Sequence, residues 1–140
     1  MTENNKQNKN VIYVYLLLAV VSISILYVSS KIENISISTS NEYYYSKSLR
    51  TSYSIEVASL FFFTSFITGI FYKVDPWIAG ISMISIFLAA TFYEMTVFKG
   101  SHNLLPAELV IYFFFSLPSI LGSYLGSYLK RINQKWYKRL

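Results

Sequence analysis

The sequence predicts an all-α integral membrane protein: a bundle of four transmembrane helices with both termini on the cytoplasmic side. Three observations carry this. Of 140 residues, 54% are hydrophobic and only 14% charged, against about 25% charged in soluble domains. Four stretches are apolar over the length a helix needs to cross a membrane, roughly 20 residues at about 1.5 Å each for some 30 Å of hydrocarbon. The lysines and arginines then divide unequally between the two sides, and their excess marks the inside.

The first span is residues 11–30, a run without any charge. It exceeds the roughly 7–15 apolar residues of a signal-peptide core and no A-x-A-like site follows, so it is read as a retained span. The external loop, residues 31–54, reads "KIENISISTSNEYYYSKSLRTSYS". An Ile/Ser alternation followed by three tyrosines predicts a short amphipathic strand or a segment lying along the interface, where tyrosine is favoured.

The second span, residues 55–72, carries Glu56, and the third, residues 77–98, carries Glu94. Between them stands "KVDPW", in which Asp75 is placed to cap the next helix and Pro76 to occupy its first position. A connection this short predicts that spans two and three form an antiparallel hairpin. The fourth span is residues 109–129. Here Ser119, Gly122, Ser123, Gly126 and Ser127 recur at helical spacing and make one face of small residues, the pattern that lets a second helix approach closely. Pro118 removes one backbone hydrogen bond within that span and predicts a kink.

Residues 130–140 form a basic tail that holds five of the twelve lysines and arginines. Lys130, Arg131, Lys135, Lys138 and Arg139, mixed with Trp136, suit anionic lipid headgroups, which attract each such cation by about 1 kcal/mol. The charge excess is a tail and not a groove, so nucleic acid is not an expected partner. With Lys6, Lys9 and Lys73 the terminal side holds eight cations. Lys31, Lys47, Arg50 and Lys99 make four on the other side.

Composition also limits chemistry. Without cysteine there are no thiolate nucleophiles, thiolate metal sites or disulfides. With one histidine, His102, sites that need two within one chain are ruled out, and neither a cofactor nor a metal is expected. No carboxylate lies at the middle of a span, where a membrane-buried proton carrier would need one.

What remains is an external polar cluster of Glu56, Glu94, His102 and Glu108, all placed near one boundary by the predicted topology. Glu56 and Glu108 start helices, where a negative charge is favoured. Glu94 ends one, where it is disfavoured, so it needs a cation, a proton or water; Lys31, Arg50, Lys99 and His102 are the candidates. The expected function is a non-enzymatic assembly or accessory subunit, or a homo-oligomer, joined through the small face of span four. A channel or carrier with Glu56, Glu94 and Glu108 as an acidic mouth is the alternative. An enzyme using Glu94 and His102 as acid and base comes third, for want of a recognisable nucleophile.

Overall fold

Apolar sequence with few breakers forms long helices, and the computed structural model contains them. It describes residues 3–32, 44–98 and 105–137, with side chains over 11–32, 45–98 and 105–132. The helices are α1 (Glu3–Ile32), α2 (Tyr44–Thr51), α3 (Ile55–Phe71), α4 (Pro76–Val97) and α5 (Leu105–Tyr137). Among the described residues there is no strand. Three helices are long and apolar enough to cross a membrane, and a fourth span results if α2 and α3, bent by 86°, are taken together.

Several expectations need adjusting. The second half of the loop is helical over α2 and not a strand, because Ser46, Leu49 and Tyr53 place inward-facing groups at a spacing near 3.6 and not 2. The Ile/Ser alternation itself lies outside the described residues. Helix α5 runs on through the basic tail to Tyr137, and Pro118 sits inside it without ending it. Asp75 caps α4 as its position predicts: its Oδ1 accepts from the amides of Trp77 at 2.9 Å and Ile78 at 3.2 Å.

The helices alternate in direction, so the start of α1 and the end of α5 lie at the same end of the bundle. Tyr15 of α1 accepts from the Asp75 amide at the foot of α4. Ser29, near the top of α1, donates to the Ser52 carbonyl. Around the bundle the order is α1, α4, α5, α3, with the closest packing between α3 and α5.

Consecutive helices α3 and α4 are therefore antiparallel but barely touch, and the expected hairpin is open. The small face of α5 explains this. A Cβ at Gly122 would lie 2.2 Å from the Phe62 carbonyl oxygen, and one at Gly126 would lie 2.2 Å from that of Phe66. Gly69 of α3 returns the arrangement, with its missing Cβ aimed at the Ser123 carbonyl. Backbone meets backbone, and among the described glycines only those of the α3–α5 seam come this close to a facing helix backbone. The short 72–75 connection cannot hold α4 beside α3 against it.

Inside the bundle Leu18, Leu26, Val57, Phe61, Met83, Phe87 and Tyr112 form the core. Beside them lie buried hydroxyls, with Ser22, Ser65, Ser119 and Ser123 fully enclosed. Outside, many large apolar side chains are exposed, among them Leu17, Phe63, Ile81 and Leu121. Water-soluble bundles rarely expose apolar surface on this scale.

Candidate functional site

Polar chemistry collects at the end of the bundle where α2 lies across α3. Glu94, in the last turn of α4, is completely buried. The carbonyl ends of its own helix repel it, and hydrocarbon-like neighbours cannot solvate it. The compensation comes from α2, whose first-turn amides have no partner inside their helix. Tyr45 and Ser46 donate those amides to Glu94 Oε1, at 2.5 Å and 3.1 Å. The positive end of one helix thus meets a carboxylate at the negative end of another.

The other end of α2 is held by a second acid. Arg50 Nη1 donates to Glu108 Oε1 at 3.2 Å, with the carboxylate mostly buried and the guanidinium about one quarter exposed. Arg50 Nε also reaches the Ser46 carbonyl, which bends the side chain back along its own helix. Just beyond α2, the Tyr53 hydroxyl donates to the Phe115 carbonyl at 2.8 Å, and the Tyr53 ring stacks on that of Phe115 at 3.9 Å. Through these contacts and Ser29, α2 and its exit are fastened to α1, α4 and α5, while Tyr53 also packs edge-on against Phe61 of α3.

One turn deeper the pattern repeats with hydroxyls. Thr91 lies three residues before Glu94 and Tyr112 four after Glu108, so both pairs share helix faces. Thr91 Oγ1 and the Tyr112 hydroxyl are 2.7 Å apart and buried. Below them Phe87 and Phe115 close the layer.

Of the four residues expected to cluster, Glu94 and Glu108 are brought to the two ends of α2. Glu56 stands exposed in the first turn of α3, beside a hollow lined by Ser24, Val28 and Ile32 of α1. His102 and Lys99 lie outside the described residues. Of the cations considered for Glu94, Arg50 is turned to Glu108, and Lys31 lies 5.7 Å from the Tyr27 ring centre. Of the tail residues expected at lipid headgroups, Lys130 and Arg131 are described; the side chains of Lys135, Trp136, Lys138 and Arg139 are outside the described set.

Sequence reasoning missed Thr91, Tyr112, Tyr53 and the pairing of Arg50. The available signal was periodicity: Thr91 with Glu94, and Glu108 with Tyr112, sit at i, i+3 and i, i+4. Beside this end an open, mostly apolar groove of about 630 Å³ runs between α1, α2 and α4, edged by Tyr27, Tyr45 and Tyr93. Among the described residues no three acid or histidine side chains stand together as a metal would require.

Comparison with protein families, with curated proteins and with solved structures finds no match for the chain. What the arrangement can do follows from its own geometry. Both acids bind groups of the same chain, and the geometry is that of a clasp holding a short crosswise helix.

Proposed function

We propose that this is a small, non-enzymatic, multi-pass protein of the cell membrane, with both termini inside, that serves as an assembly or accessory subunit, its partner being a second copy or another membrane protein. The observation that supports this is the clasp. Glu94 and Glu108, the two buried acids, are engaged by α2 and Arg50. Acids held this way position a helix and do not offer a proton or a lone pair to a substrate.

Membrane insertion is supported by the many large apolar side chains on the outer surface, with buried serines and close-packed glycines between the helices. The inside placement of the termini rests on the lysine and arginine excess at that end. The channel reading loses support because Glu94 lies wholly under α2 while Glu56 faces α1, so the three carboxylates do not line one opening. The small face of α5 is covered by α3, so an intermolecular seam has to use a different surface. The groove between α1, α2 and α4 is a concave one.

Two experiments test the reading. In blue-native electrophoresis from mild detergent, a homo-oligomer or a co-purifying membrane protein is expected, and a bare monomer with no companion overturns it. Because the chain lacks cysteine, single cysteines report sidedness. In intact cells an impermeant thiol reagent is expected to label Lys47→Cys and not Lys6→Cys; the opposite result reverses the orientation.

A further inference from the structure

At the end opposite the clasp, the turn after α3 and residues 124–131 of α5 enclose a hollow of about 500 Å³. Its lining includes Tyr72, Lys73, Ser127, Tyr128, Lys130 and Arg131. Three cations from two segments far apart in sequence converge on one cavity, and among the described residues no acid lines it. Asp75, between Val74 and Pro76 of the lining, accepts from the first amides of α4. Lys130 Nζ donates to the Phe71 carbonyl at 3.0 Å, which fixes the ammonium and offsets the negative end of α3. Among the described residues, neither Lys73 nor Arg131 is paired with a carboxylate.

We propose that this hollow is a binding site for the phosphodiester headgroup of an anionic membrane lipid. Arg131 offers the planar donors that suit phosphate, with Lys73 and Lys130 as flanking point charges. The volume falls within the range of about 300–1,000 Å³ typical of small-molecule sites. A free phosphate would be drawn by the same cations, but the surroundings favour a lipid. Tyr128, Tyr124 and Leu121 lie at successive turns of one α5 face, each more than half exposed, and run from the hollow toward the middle of the bundle. That stripe receives an acyl chain whose headgroup sits among the cations. The tyrosines at its start are residues that favour the membrane boundary. The site rests on the proposed membrane insertion, and its placement in the inner leaflet rests on the proposed orientation.

The test uses the full chain, purified and delipidated in detergent, with native mass spectrometry to count bound molecules. Phosphatidylglycerol is expected to remain bound at one equivalent while phosphatidylcholine dissociates, and glycerophosphate or inorganic phosphate alone should not be retained. The double variant K73Q/R131Q is expected to weaken phosphatidylglycerol binding about 30-fold, the equivalent of about 2 kcal/mol at roughly 1 kcal/mol per cation. K31Q/K47Q, at the other end, should bind as the parent does, and circular dichroism with thermal melting establishes that both variants are folded. Equal retention of the two lipids, or unchanged binding by K73Q/R131Q, overturns the site. Retention of glycerophosphate as tight as that of the lipid overturns the lipid assignment. Binding in detergent does not depend on orientation, so the cysteine-labelling result distinguishes failure of the site from failure of the topology.

Discussion

Replacing Gly122 and Gly126 with alanine tests the packing on which the whole arrangement depends. Each new Cβ would lie 2.2 Å from a backbone carbonyl oxygen of α3, those of Phe62 and Phe66 respectively. Neither oxygen can rotate away, so α3 has to retreat by about 1 Å along the seam, and overpacking of this kind costs about 1–3 kcal/mol per site. With overpacking of about 2 kcal/mol per site and alanine recovering up to about 1 kcal/mol per site through its higher helix propensity, the double variant is expected to lose about 2–4 kcal/mol in net stability. Gly80→Ala is the internal comparison. Its Cβ meets Ile120 Cγ1 at 2.4 Å, a side chain that can change rotamer, so the loss should be smaller. Thermal unfolding in detergent, followed by circular dichroism alongside size-exclusion chromatography, reads both stability and assembly. A double variant that melts like the parent, or one whose oligomeric state changes while its stability does not, would refute the intramolecular seam and return the small face to a partner.

Three further outcomes concern the clasp. Glu94→Gln keeps an acceptor but loses the charge, and hydrogen bonds to a charged group are worth about 1.5–3 kcal/mol each; hydrogen exchange should speed up at the Tyr45 and Ser46 amides while the middle of α4 stays protected, and unchanged protection would contradict the capping role. A double-mutant cycle of Arg50→Ala and Glu108→Ala should yield a coupling of about 1 kcal/mol, kept modest by the partly exposed guanidinium, and simple additivity would show that the ion pair does not hold α2. Tyr112→Phe leaves the buried Thr91 hydroxyl without its partner and should cost about 1–3 kcal/mol in thermal melts, more than Tyr112→Phe combined with Thr91→Val relative to Thr91→Val alone.

The all-helical class and three of the expected spans were readable in the sequence, because crossing hydrocarbon sets a minimum length of apolar residues that composition alone reveals; the stretch from residue 55 reaches spanning length only when α2 and α3 are taken together. The Asp75–Pro76 start of α4 was readable for a related reason: a cap acts on amides two and three residues away. The small face of α5 could be drawn from spacing as well. That α3 covers it could not, since Gly122 and Gly126 are sixty residues from the carbonyls they approach, and short connections suggested the pairing of α3 with α4.

Helix α2 marks the limit most clearly. Eight residues are too few to hold a helix alone in water, so local propensity carried little information about 44–51. Its stability is tertiary, supplied by Glu94 at its start, Glu108 at Arg50, and aromatic packing at Tyr53. The need of Glu94 for compensation was evident from its place at a helix C-terminus. That the compensation is a helix end, contributed by a segment 49 residues earlier, was decided only when the four long helices brought that segment across the top of the bundle. Charge, length and periodicity are properties of a chain in one dimension, whereas the choice among several possible partners for a buried carboxylate depends on which of them the packing carries within about 3 Å.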